Sequence, residues 1–315
     1  MYIECCQQLE ILPASYVVRN INAERMRLAH HGLRTLGAKA LCVPLVTNST
    51  VIELDLEDNW LMAKGGVYVS EMLRENCYIT KCNLANNLLN DAGIISVASM
   101  LAVKQSNVSI LVPSSSAQLS CLSESVSFQV NASLEFLSIS GNNMTDISGA
   151  HIAQALQQNY TLQHLDASHN QLTKASSKLF GYVLGASNKN AELYFVFEFE
   201  LAANNVCHRV FASGDQATLT SLDVSWNKLA ARGVSDILQG LISNTALTHL
   251  NVAFNGVGNP GILKIADFLK KNTHLQSLDI SHNRFSVESM PTLAKGLLSS
   301  LSLVTLKVAP PSQQQ

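Results

Sequence analysis

The sequence predicts an α/β solenoid. About ten stacked units of 28 residues curve into a horseshoe, with parallel strands on the concave face and helices on the convex face. Three observations predict it. Four stretches share one pattern of apolar positions closed by Asn-x-apolar: VIELDLEDNWL from Val51, LEFLSISGNNM from Leu134, LTSLDVSWNKL from Leu219 and LQSLDISHNRF from Leu275. The asparagine recurs at Asn59, Asn87, Asn142, Asn170, Asn204, Asn227, Asn255 and Asn283, in steps of 28, 55, 28, 34, 23, 28 and 28. Glycine keeps the same period at Gly37, Gly65, Gly93, Gly233 and Gly261. The 55 reads as two units less one residue, and 34 plus 23 as two units plus one.

Each element follows from the chemistry of the unit. Residues 1–22 read as an N-terminal cap, with Ile3, Leu9, Ile11, Leu12, Tyr16 and Val17 covering the first unit. Residues 23–308 form the array. In L-x-L the leucines point to one side of a short strand and the variable residues to the other. The asparagine turns the chain out of the strand, and its amide pairs backbone groups that burial would otherwise orphan. Stacking makes these amides a structural ladder. The glycine opens a helix, as in GGVYVSEMLREN from Gly65, whose apolar residues face the strand layer. Two stretches fit poorly, 107–133 with Pro113-Ser114-Ser115-Ser116 at the turn, and 185–203 with an aromatic strand from Tyr194 to Phe199 before Asn204. Residues 309–315 read as a disordered polar tail.

Composition narrows the function. The chain has 315 residues, 47% hydrophobic and 14% charged, which suits a folded core. Its net charge of −2 gives no basic field for nucleic acid or anionic membrane. The N-terminus lacks the apolar run of a signal peptide, and no apolar run is long enough to span a bilayer. Seven scattered cysteines fit a reducing, cytoplasmic setting better than a disulfide framework. Of five Asn-x-Ser/Thr triplets, those at Asn48, Asn107, Asn131 and Asn159 share a repeat context, which marks them as structural. His164 with His169, and Cys77 with Cys82, lack ligand partners at metal spacing. No phosphate-loop, dinucleotide or nucleophile-elbow motif is present. No cofactor, metal, catalytic residue or small-molecule substrate is expected.

The 28-residue unit, L-x-x-L-x-L-x-x-N-x-L then x-x-x-G and a helix, resembles the ribonuclease-inhibitor class of leucine-rich repeats. That resemblance implies an intracellular, protein-binding solenoid. The N-terminal third, with Leu12-Pro13-Ala14-Ser15-Tyr16-Val17-Val18-Arg19-Asn20, His30-His31-Gly32-Leu33, Leu54 to Asn59 and Glu75-Asn76-Cys77-Tyr78-Ile79, is similar to the leucine-rich repeat-containing protein 74 family.

Function in such arrays sits in the variable strand positions. The fifth motif position carries Asp166, Glu200, Asp223 and Asp279, which with Glu198 make the C-terminal half of the concave face acidic. A protein partner with a basic surface is expected. The eighth position carries His169, Ala203, Trp226, Phe254 and His282. Trp226 and Phe254 occupy consecutive units and are expected as neighbouring aromatic anchors. Arg25 and Arg27 are expected to pair with Glu53 and Asp55 across strands. The expected function is therefore a non-catalytic scaffold. Three other readings exist. Ran-type GTPase activators resemble this repeat class and would need a loop arginine such as Arg34, Arg232 or Arg284. A ribonuclease-inhibitor-like inhibitor calls for more acidity than −2. A structural part of a large assembly, such as a cilium, is the third.

Overall fold

The computed structural model describes residues 1–102, 131–185 and 218–308, with the backbone of 193–194 and 209–210. Nine strands form one parallel sheet: β1 (Arg25–Arg27), β2 (Glu53–Asp55), β3 (Lys81–Asn83), β4 (Phe136–Ser138), β5 (His164–Asp166), β8 (Ser221–Asp223), β9 (His249–Asn251), β10 (Ser277–Asp279) and β11 (Thr305–Lys307). A separate antiparallel pair joins β6 (Leu193–Tyr194) to β7 (Arg209–Val210). Helices follow the strands: α3 (Arg34–Leu45), α4 (Met62–Glu75), α5 (Asn90–Leu101), α6 (Asp146–Gln158), α7 (Lys174–Leu184), α8 (Ala230–Leu241), α9 (Gly258–Leu269) and α10 (Met290–Ser299). The chain is an α/β leucine-rich-repeat solenoid.

The core lies between the sheet and the helices. The central strand residues stand in register, Met26, Leu54, Cys82, Leu137, Leu165, Leu222, Leu250 and Leu278, and all are buried. One repeat cannot cover this row, so each depends on its neighbours. Helix α4 begins at Met62, so Gly65 does not open it. The glycine instead sits in the first turn, where a Cβ would come 2.7 Å from Leu61 Cβ.

Two joins differ from the ruler. The sheet takes one step between β3 and β4, where the 55-residue spacing counted two units. It also takes one step between β5 and β8, where 57 residues separate Asn170 from Asn227. Ala167 N donates to Asp223 O at 2.8 Å and His169 N to Ser225 O at 3.0 Å. These groups are thus already used, and no repeat carrying Ala203 and Asn204 can stand between β5 and β8. At the start of the expected strand from Tyr194 to Phe199, Leu193 and Tyr194 pair with Val210 and Arg209 in the separate two-stranded sheet, and residues 195–199 lie outside the described residues. Glu198, Glu200 and Asn204 lie outside the described residues, as does the 309–315 tail.

At the β5–β8 join the helices touch backbone to backbone. A Cβ on Gly240 would fall 1.8 Å from Gly181 O, and one on Gly181 would fall 2.1 Å from Asp236 O. At the N-terminus α1 (Tyr2–Gln8) and α2 (Ser15–Asn20) form the cap. Tyr2, Cys6 and Val17 are buried there. Leu9, Ile11 and Tyr16 pack partly against the core. Ile3 and Leu12, expected in the cap core, are exposed. Helical spacing explains Ile3: Tyr2 and Cys6 take the inner face of α1, and Ile3 falls on the other.

Two asparagine ladders hold the turns. In the first, Asn87 Nδ2 donates to Leu56 O, Leu84 O and Ala85 O, while its Oδ1 accepts from Asn59 N at 2.9 Å and Leu61 N at 3.4 Å. Asn59, Asn142, Asn170, Asn227, Asn255 and Asn283 repeat this pattern across neighbouring units. Asn227 reaches Ala167 O directly and accepts from Leu172 N, which leaves no rung for Asn204. The second ladder, at the helix-to-strand turns, uses Asn48, Asn76, Asn131, Asn159, Asn244 and Asn272. The triplets at Asn48, Asn131 and Asn159 are therefore structural, as their context predicted; Asn107 lies outside the described residues.

Candidate protein-binding surface

The turn after each strand sets the surface. The residue just before the ladder asparagine is left-handed in every repeat from β1 to β10: His30, Asp58, Asn86, Gly141, His169, Trp226, Phe254 and His282, with φ between 49° and 65°. Gly, Asn, Asp and His tolerate that conformation best. Trp226 (φ 52°) and Phe254 (φ 55°) depart from those types, at a backbone cost of order 1–3 kcal/mol each.

The side chains offset part of that cost by stacking. Trp226 and Phe254 have ring centroids 3.7 Å apart at an interplanar angle of 13°. His282 stacks on Phe254 at 4.1 Å and 18°, and His169 on Trp226 at 5.0 Å and 17°. Four rings thus form one column along the sheet edge. Trp226 remains 47% exposed, so the column presents its ring edges to solvent.

A carboxylate stands at the foot of three of these rings. Asp166 Oδ1 accepts from Ser168 N at 3.0 Å, Asp223 Oδ1 from Ser225 N at 2.8 Å, and Asp279 Oδ1 from Ser281 N at 3.0 Å. The pattern Asp-x-Ser-ring-Asn is an Asx turn that ties the carboxylate to the turn leading into the ring-bearing residue. Asn251 fills the same role below Phe254. Outer oxygens bond sideways: Asp166 Oδ2 accepts from Ser138 Oγ at 2.9 Å, and Asp223 Oδ2 from Asn251 Nδ2 at 2.7 Å. Lys307 Nζ lies 3.8 Å from Asp279 Oδ2. Burial pushes the Asp223 carboxyl above its ordinary value; bonds from Ser225 and Asn251 oppose this, and the charge of Asp166 adds to it.

Among the expected site residues, His169, Trp226, Phe254, His282, Asp166, Asp223 and Asp279 fall on this one strip, while Glu198 and Glu200 lie outside the described residues. Continuity of the column was hidden in the sequence, because Ala203 was counted between His169 and Trp226. The local work of the aspartates was also missed, although Asp-x-Ser signals it.

The N-terminal half differs. His30 Nδ1 pairs with Asp58 Oδ2 at 2.8 Å. Arg25 and Lys81 flank Glu53 at 3.1 and 2.8 Å, and Arg27 stands in register with Asp55. Arg34, the first residue of α3, lies 5.9 Å over the Trp60 ring, Arg232 is in α8, and Arg284 follows β10, so the three arginines belong to different repeats. Among the described residues no group of three or more His, Cys, Asp or Glu could hold a metal ion. No helix among them is long and apolar enough to cross a membrane.

A leucine-rich repeat family model matches residues 130–153, 216–238, 243–266 and 271–294. The pig (Sus scrofa) ribonuclease inhibitor is 27% identical over 225 residues, 70% of this chain and 49% of its own length. The chain therefore spans about half the length of that curated relative. Two solved structures are similar at lower level. The leiomodin-1 actin-binding site 2 covers 51% of this chain and 79% of its own, with 19% identity and a TM-score of 0.36. The Caenorhabditis elegans tropomodulin C-terminal domain covers 75% and 92%, with 11% identity and a TM-score of 0.35. The chain thus carries leucine-rich repeats and is similar to the ribonuclease inhibitor.

Proposed function

We propose that this chain is a non-catalytic scaffold that captures a protein partner on the strip formed by His169, Trp226, Phe254 and His282 above Asp166, Asp223 and Asp279. The observation that carries the reading is the four-ring column. Trp226 and Phe254 hold costly left-handed backbone, yet Trp226 stays half exposed and builds no core. Strain kept at a surface points to binding. The aspartates favour a partner with a basic surface. Free thiols at Cys5, Cys6, Cys42, Cys77 and Cys82 support a reducing, cytoplasmic setting, and the N-terminal motifs favour the leucine-rich repeat-containing protein 74 family.

The test is capture of partners from the native cell by the full chain and by Trp226→Ala/Phe254→Ala. The double variant loses the partners while its circular dichroism spectrum stays unchanged; the same partners retained at the same yield would end the proposal. The similarity to ribonuclease inhibitor favours one narrower reading, inhibition of a cationic ribonuclease. Stoichiometric loss of nuclease activity on titration supports it, and undiminished activity rejects it.

A further inference from the structure

One end of the ring column is open. In the repeat before His169 the equivalent residue is Gly141, and no ring or cation meets the second face of His169 among the described residues. Acceptors surround that face. Asn86 leans over Gly141, so that a Cβ there would meet its Oδ1 at 2.1 Å. The Asn86 amide nitrogen is turned away, donating to Glu57 Oε1 at 3.2 Å. Asp166 turns its outer oxygen to the same side, where Oδ2 accepts from Ser138 Oγ of β4 at 2.9 Å. That oxygen takes one bond among the described residues and keeps a free lone pair. Among the described residues, neither strands β4, β5, β8, β9 and β10 nor the three residues that follow each strand include a Lys or Arg.

We propose that the open face of His169 receives an arginine side chain of the partner, its guanidinium lying on the imidazole above Gly141 and donating to Asp166 and Asn86. This rests on the strip being the docking surface. The chemistry selects arginine because the site offers a flat face and acceptors only. A guanidinium is planar, stacks on rings and carries five donors. A lysine ammonium lacks the plane, and an aromatic side chain leaves the Asp166 carboxylate uncompensated.

The experiment compares labelled nona-arginine and nona-lysine peptides binding the full chain by fluorescence anisotropy at near-physiological salt. Nona-arginine binds about fivefold tighter, as expected for one added cation–π contact. His169→Ala removes that advantage and leaves nona-lysine binding unchanged. Asp166→Asn weakens both peptides. Equal affinities in the unaltered chain overturn the inference, as does an arginine advantage that survives His169→Ala. Partner capture lost in Trp226→Ala/Phe254→Ala, with no arginine preference in the unaltered chain, rejects this inference alone. Capture retained in that variant rejects the docking surface and this inference with it.

Discussion

Replacing Asn87 with alanine tests the ladder. Asn87 is fully buried. Its loss leaves the carbonyls of Leu56 and Leu84 partly satisfied, because Asn59 Nδ2 and Asn142 Nδ2 still donate to them. Ala85 O keeps Asp58 N at 3.0 Å. The two donors fare worse: Asn59 N and Leu61 N both point to Asn87 Oδ1 and lose it. Two orphaned buried donors cost about 2–5 kcal/mol. For a chain of this size that lowers Tm by about 4–10 °C. The assay is thermal and urea unfolding followed by circular dichroism. Asn143→Gly is the control, since Asn143 is exposed, makes only a long 3.4 Å bond to Asn90 Oδ1, and has a left-handed φ of 57° that glycine keeps without strain. A Tm for Asn87→Ala indistinguishable from that of Asn143→Gly would refute the view that these amides satisfy otherwise orphaned backbone.

Gly240→Ala drives a methyl into Gly181 O and is expected to cost about 1–3 kcal/mol by overpacking, read as a lower urea midpoint. Burial pushes the Asp91 and Asp146 carboxyls up, but bonds from Ser148 and Thr145, and from Ser176 and Thr173, outweigh it and hold both below the ordinary value of 3.8. Their stabilisation is therefore complete above pH 3.8 and fades as pH falls from there through the depressed folded values. Asp91→Asn/Asp146→Asn should flatten the acid limb of the stability curve, and an unchanged limb contradicts the assignment. The bond to Asp58 raises the His30 pKa above 6.5. Its contribution is present below pH 6.5 and is lost as pH rises through the raised folded value. An NMR titration of Asp58→Asn should bring His30 back toward 6.5; no movement rules the pairing out.

The regular repeats were legible because one side-chain type does one job at one spacing. A buried strand centre needs an apolar residue, and a buried turn needs an amide. Met26 to Leu278 and Asn59 to Asn283 could hardly be otherwise. Legibility failed where chain distance and spatial distance part. Asn204 sits at a plausible spacing, yet spacing does not show that β5 and β8 already bond each other. The same error separated His169 from Trp226 and hid half of the ring column. In the cap, Leu12 reads as core from its type alone, but it stands 94% exposed in the link between two short helices, where no stacking partner fixes its side.

The two single-step joins also bear on how the molecule assembles. They divide the sheet into blocks of three, two and four strands, within which each strand lies 28 residues from the next. Across each seam the chain must close about twice that distance, an entropic penalty of only about 0.6 kcal/mol, small beside the bonds gained. The finished array is therefore nearly indifferent to the detours, whereas its assembly is not. Structure should spread quickly inside a block and pause at the seams. Pulsed hydrogen exchange would then show protection arriving in three waves, and a single uniform wave would count against it.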